Sequence, residues 1–292
     1  AGREPLALTY AGFTLSHIGQ QHRLAVRAVL PDGETLELSA QGQLIDKDWR
    51  QSRLAVYLKT PGSNLAQWVP EVYLQGWLLD SLKLKGEVWL QAERGQVQQA
   101  VLRLAELAVR GQAPHAESLA VQSDAVLAFY QQQDSVHNAW FERLALQIDQ
   151  LPEHDWRMLL SYTEQQATRW QLAVEQLELP HVHYLAKRLV VLPDIAEHVL
   201  ASLQPTGRVK NMHLQWQPDA PFAERLVFAS NLDNVEFSAW ENVPAVSGIN
   251  GHISGDLTQG ELRLASADGF SLHLANLFAK PWDYHKAHAQ LL

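Results

Sequence analysis

The 292-residue chain contains no cysteine, which excludes a disulfide framework, a thiolate metal site and a cysteine nucleophile. Nor does any window approach the ~18 consecutive apolar residues of a membrane-spanning helix. Basic charge is scarce: 23 Lys and Arg against 32 Asp and Glu leave a net charge of −9. The cations are scattered, so the dense basic patch needed by a nucleic-acid binder is missing, and no polybasic stretch suits an anionic leaflet. Charged residues of both signs make up only 19%, and 27 glutamines help to supply the polar surface. The apolar fraction of 47% is ample for a core and excludes wholesale disorder.

The motifs of catalysis are missing as well. There is no Gly-x-Ser-x-Gly elbow, and Ser247-Gly248 reads as a turn. Gly248, Gly251 and Gly255 punctuate strands and do not open a phosphate-cradling helix. Of the 13 histidines, His181 and His183 would share a face if extended, yet no third ligand or His-Glu-x-x-His motif accompanies them. The carboxylate pairs Glu153 with Asp155 and Asp233 with Glu236 fall in turns, where solvation is the default. The expectation is a protein that is not an enzyme and that uses no cofactor and no metal.

What is present is alternation of apolar and polar residues at period two, the signature of half-buried strands. Residues 24–30 and 36–40 flank Pro31-Asp32-Gly33, a strand-turn-strand signal in which Asp-Gly supplies the positive-φ positions. Residues 54–58 and 82–90 alternate, and Glu93-Arg94-Gly95 turns the chain into 97–109. Similar runs cover 119–130, 140–148, 157–163, 170–179, 208–217, 225–229, 232–238, 251–257, 260–265 and 269–275. Short helices are expected near 64–70, behind Ser63-Asn64, and near 194–204, capped by Asp194. Residues 181–192 suit either a helix or a strand. A weak internal repeat links 82–109 and 248–274 through Leu102-Arg103-Leu104-Ala105 and Leu262-Arg263-Leu264-Ala265.

Each strand offers an apolar face that something must bury. Two short helices are too few, which leaves a barrel, a sandwich or a gutter whose interior holds a ligand. Alternation by itself favours the closed solutions.

A resemblance shifts that balance. Residues 243–255, Gly260-Glu261-Leu262-Arg263-Leu264-Ala265-Ser266, 270–282 and Gly207 to Trp216 resemble the YhdP branch of the AsmA-like proteins. The likeness is specific over about 205–292 and looser over 20–110. It implies an all-β fold: a long antiparallel meander curled into an open twisted gutter with an apolar interior, plus one or two short helices. It also implies an envelope protein anchored in the inner membrane, and a bridge-like transporter carrying phospholipids across the periplasm towards the outer membrane. The partners so implied are phospholipid acyl chains and, through parts of the chain missing here, the two membranes; no protein partner is named. The chain opens at Ala1 without a visible signal peptide and stops within an alternating run, so it reads as one elongated periplasmic segment, 1–292, of a longer protein.

The arithmetic of such a gutter is simple. Fifteen to eighteen strands ~4.8 Å apart would extend roughly 70–85 Å. Sheltering each methylene offsets about 0.8 kcal/mol, so a lipid with some thirty of them escapes a barrier above 20 kcal/mol. The expected lipid-contacting residues are the alternating apolar positions Val26, Leu36, Leu38, Leu54, Val56, Leu84, Val88, Leu102, Leu104, Leu172, Val174, Leu214, Trp216, Ile253, Leu262, Leu264, Leu272 and Leu274. Lys83, Arg103 and Arg263 would guard against edge pairing. The rival reading is a β-sandwich glycan-binding module of the cell envelope, with Trp77, Trp89, Trp140, Trp170 and Trp216 as aromatic platforms. Tryptophan lines acyl grooves equally well, so its presence does not separate the two.

Overall fold

The computed structural model describes residues 8–45, 48–66, 69, 77–112, 118–163, 167–189, 198, 201–241, 243–266, 269–273, 280–285 and 287–291. Of these, 74% are strand and 6% helix, which makes the protein all-β and antiparallel. Contacts divide the chain into two units: residues 1–114 with 118–155, and residues 156–292 with 115–117.

The first unit is a meander of β1 (Tyr10–Ile18), β2 (Gln21–Val29), β3 (Thr35–Ile45), β4 (Asp48–Asn64), β5 (Leu78–Glu93), β6 (Gln96–Gln112), β7 (Ser118–Ser123), β8 (Val126–Gln133) and β9 (Val136–Ile148). Two-residue turns join several pairs, and positive φ at Gly19, at Arg94 with Gly95, and at Asp134 gives them the twist that strands require. At the expected Asp-Gly turn, Gly33 has φ +83°. There Asp32 Oδ1 accepts from the Glu34 amide at 3.1 Å and Asp32 Oδ2 from Ser63 Oγ at 2.5 Å. Those two donors, Ser63 foremost, hold the Asp32 carboxyl below its usual range.

The run 119–130, continuous by alternation, is two strands. Ser123 Oγ donates to the Ala125 carbonyl at 3.0 Å and accepts from its amide at 3.3 Å, which ends β7 and restarts the chain as β8. The two then pair with different halves of β6: β7 with residues 107–112 and β8 with residues 99–104. Among the described residues β1 and β9 do not pair with each other, so this sheet is open and not a barrel.

The second unit contains β10 (His154–Thr163, from residue 156), β11 (Arg169–Glu178), β12 (Thr206–Trp216), β13 (Leu226–Phe237), β14 (Ala245–Gly255), β15 (Gly260–Ser266), β16 (Phe270–His273), β17 (Trp282–Tyr284) and β18 (Ala287–Leu291). Here β14 is the strand that forks, pairing with β15 through residues 251–255 and with β16 through residues 245–247. A small closed core forms around it. Val235, Val246 and Ile249 are buried, and Leu179, Leu232, Phe237, Leu264, Phe270 and Leu272 pack against them.

Helix α1 (Leu179–Leu189) resolves the ambiguous stretch as helical up to Leu189. It places His181 in the interior, edge-on to the Trp156 ring at 6.3 Å. Of the helix expected near 194–204, residues 198 and 201–203 are described and helical. Of the one expected near 64–70, residues 64–66 and 69 are described. Asn64 ends β4, its Oδ1 accepts from the Ala66 and Leu82 amides at 3.1 and 3.0 Å, and the Val69 amide donates to the Ala66 carbonyl at 3.3 Å, a single turn.

The segments 82–109 and 248–274 share a close strand approach. Gly86 faces Leu104 across β5 and β6, and Gly251 faces Leu264 across β14 and β15. A Cβ on Gly86 would run into the Arg103 carbonyl oxygen, and one on Gly251 into that of Arg263. In both places glycine lets a Leu-Arg-Leu strand press against its neighbour.

Candidate functional site

Partners directly opposite each other in an antiparallel pair project to the same face. Following registers across the first unit therefore gives whole rows of side chains. One row runs Phe13, Val26, Leu38, Leu58, Val88, Leu102, Ala128 and Phe141. The row beside it runs Leu15, Leu24, Ala40, Val56, Leu90, Ala100, Tyr130 and Ala139. No charged side chain interrupts either. Alternation fixed this outcome strand by strand, and the registers join the strands into one apolar face.

That face is incompletely covered. Val26, Leu38, Leu58, Val88 and Leu102 are all half-buried, whereas a barrel or sandwich core buries its inward face almost fully. On β1 the same rows stand open, with Phe13 79% and Leu15 68% exposed. Full burial is confined to a few positions such as Leu104, Val126 and Leu144, which form one consecutive cross-strand set.

In the second unit, Leu160, Leu172, Leu214 and Phe228 form a comparable row. Next to it lie Tyr162, Trp170, Trp216 and Leu226 at the ends of their strands. Trp170 and Trp216 are 40% and 39% exposed, and the Tyr162 ring lies 4.4 Å from that of Trp170. Aromatic groups with one polar atom suit such a margin between an apolar face and water.

The expected lipid-contacting residues fall into place as follows. Val26 pairs with Leu38, Leu36 with Ala28, Leu54 with Gly42, Val56 with Ala40, Leu84 with Leu107, Val88 with Leu102 and Leu172 with Leu214. All of these are half-buried apart from Ala28, which is buried. Leu104 and Val174 are buried, at 4% and 3% exposure. Ile253 pairs with Leu262, while Leu264 and Leu272 join the closed core of the second unit. Leu274 lies outside the described residues. Several members of the face were missed from sequence, including Phe13, Leu24, Leu58, Leu90 and Phe141. Their signal was phase, since each is an even number of residues from a position already chosen, except Phe13 and Phe141.

The opposite face of the first unit is polar. One of its rows alternates in sign, through Arg27, Glu37, Lys59, Glu87 and Arg103. Depressions of about 650 and 700 Å³ in this unit are lined by charged groups such as Lys83, Glu106 and Arg110, or Glu37, Lys59 and Arg143. Among the described residues no cluster of three metal-capable side chains occurs, and no helix is long and apolar enough to cross a membrane.

The tryptophans separate by face. Trp89 and Trp140 are on the polar side of the first unit, Trp170 and Trp216 on the apolar side of the second, and Trp77 precedes β5. No curated protein and no solved structure matches the chain. A family model described as YhdP protein matches residues 3–292. That match takes in both units and the whole of the apolar face, and the chain belongs to the YhdP family.

Proposed function

We propose that this chain is a non-enzymatic segment of a bridge-like lipid transporter, and that its apolar sheet face shields phospholipid acyl chains on their way between inner and outer membranes. The observation that carries the reading is the run of unbroken, half-buried apolar rows across the strands of the first unit. Such a face offers nearly uniform affinity along its length, because each position presents similar aliphatic surface. A lipid can then move without crossing a polar barrier, and no reacting group is needed. Each sheltered methylene lowers the cost of leaving the bilayer by about 0.8 kcal/mol. Head groups stay in solvent beyond the strand ends, where Tyr162, Trp170 and Trp216 form an amphipathic margin in the second unit. Leu104 and Val174 are on the same faces but buried, so they pack against neighbouring side chains and do not meet the acyl chain. A periplasmic location follows from this role.

The test is position-specific photo-crosslinking combined with lipid extraction. A photoreactive residue at Val88 or Leu102 is expected to capture phospholipid in cells, and one at Arg103 or Gln91 is not. Protein purified without detergent should carry phospholipid well above a mock purification. Lipid-free protein with no adducts at Val88 and Leu102 would overturn the reading.

A further inference from the structure

The polar face of the first unit carries one row that a solvated face does not call for. Between the alternating charges and a row of amides run Tyr57, Trp89, Val101, Phe129 and Trp140, each directly opposite the next on β4, β5, β6, β8 and β9. Trp89 and Phe129 are 38% and 39% exposed, so neither packs into an interior. The rings of Tyr57 and Trp89 lie 5.5 Å apart. Tyr57 Oη donates to Glu87 Oε1 at 2.9 Å, which fixes the phenol ring in the row. The amide row alongside is Gln91, Gln99, Gln131 and Asn138, again in direct register.

We propose that this aromatic strip is a second binding site, separate from the lipid-bearing face, and that its ligand is a linear, uncharged polysaccharide strand. Three features favour that occupant. The strip is one residue wide and spans four strand spacings, roughly 19 Å, so it has the outline of a ribbon. A protein hot spot is instead a broad patch enclosed by a rim. Second, a sugar ring is about as long as one strand spacing, so successive rings can lie along the row, stacking on Tyr57, Trp89, Phe129 and Trp140 and crossing Val101 between the two aromatic pairs, while their hydroxyls meet the amides. Aromatic faces with adjacent donors and acceptors are what the two sides of a pyranose require. Third, the strip carries no charge, and the neighbouring charged row alternates in sign. Neither an anionic head group nor a nucleic acid gains from such a field. A chain working in the space between two membranes would thereby hold on to a glycan through one face while lipid occupies the other.

The experiment uses the 292-residue chain and a panel of neutral hexasaccharides, chitohexaose and cellohexaose for β-linkages and maltohexaose for α-linkages. Binding is followed by tryptophan fluorescence and by calorimetry. The expected result is saturable binding of at least one hexasaccharide. Trp89→Ala and Trp140→Ala should each weaken it tenfold or more, and Trp89→Phe should restore most of the affinity. Val88→Asp, on the other face, is expected to leave glycan binding unchanged while abolishing lipid capture, so this proposal and the lipid reading can fail independently. Circular dichroism verifies that each variant is folded; if an alanine variant is not, the exposed amide row decides the question, since Gln91→Ala with Gln99→Ala should weaken binding and undiminished binding overturns the proposal. Absence of binding by every hexasaccharide overturns the proposal. So does undiminished binding by folded alanine variants, or cross-linking of Trp89 to a protein instead of a glycan in cells.

Discussion

The two units solve the problem of an apolar sheet face differently. Around β14 in the second, a forked strand brings Val235, Val246 and Ile249 together, and neighbours from β13, β15 and β16 close over them. Across β2 to β6 in the first, the rows through Val26, Leu38, Leu58, Val88 and Leu102 remain half-buried in every strand. The same residue types at the same period thus give a closed core in one place and an open face in the other. What separates them is connectivity: where one strand pairs with two, as β14 does and as β6 does beside buried Leu104, Val126 and Leu144, side chains close over one point, and the plain meander of β2 to β5 merely lengthens the face. Closed packing supplies stability locally, and that leaves the open rows free to bind.

The largest expected contrast comes from placing one charge in each region. Ile249→Asp puts a carboxylate at a site 5% exposed, among the apolar side chains of the closed core. The cost should be at least about 4 kcal/mol, lowering the midpoint of thermal unfolding by about 10 °C or more. Val88→Asp enters a half-buried row open to water, where about 1 kcal/mol is expected together with loss of bound phospholipid. Differential scanning calorimetry with lipid extraction measures both. Equal destabilisation by the two substitutions would mean that the first unit also closes over its apolar face.

A smaller contrast lies in the paired glycines. Gly251→Ala drives a methyl against the Arg263 carbonyl and displaces Leu264, which belongs to the closed core. The expected loss is about 2–3 kcal/mol in urea unfolding. Gly86→Ala meets the Arg103 carbonyl as closely, and Gly86 also stands at φ +153°, where any L side chain is strained. Its cost should exceed that of Gly251→Ala by about 1 kcal/mol. An equal or lower cost would show that the strands bordering the open rows separate and relieve both the clash and the strain.

Much of this was legible in the sequence. The Asp32-Gly33 hairpin and the Leu82 to Leu90 strand are where their turn chemistry and phase put them. Phase also gives away the face of Trp89, which keeps step with Lys83, Lys85 and Glu87. What phase cannot give is register between strands, and the aromatic strip exists only in register. Bulges hide a second class of information. In β12, Leu214 pairs with Phe228 and Val209 with Leu232, so both project to one face although they are five residues apart. The register shifts between Lys210 and His213, and Asn211 at φ +50° absorbs the extra residue. The break between β7 and β8 was equally silent, because it depends on one serine hydroxyl bonding the backbone of Ala125, two residues on. The fork of β14 left no mark in alternation at all, and with it the distinction between closed core and open face.

Electrostatics sharpens the comparison at the smallest scale. Beside the bulge, Asp233 meets Lys210 Nζ at 2.7 Å and Arg208 Nη2 at 2.9 Å, with its side chain 24% exposed. The hydrogen bond from Lys210, aided by the Arg208 charge, holds the Asp233 carboxyl below its ordinary value. A carboxyl lowered in the folded state adds stability that is complete above the unfolded-state value of about 3.9. That stability is lost as pH falls through the lower folded value. The ion pairs of the first unit, Arg27 with Glu37 at 3.9 Å and Arg53 with Glu93 at 3.1 Å, have arginines 66% and 75% exposed and contribute little. Acid should therefore loosen the contact between β12 and β13 at Asp233 more than the strands joined by those exposed pairs. Asp233→Asn is expected to cost about 1 kcal/mol or less at pH 7 and nothing at pH 2. Hydrogen exchange, comparing the variant with the parent at each pH, should show the difference in β12 and β13 and none in β2 to β5. A deficit that persists unchanged at pH 2 would mean that Asp233 acts by shaping the bulge and not by its charge.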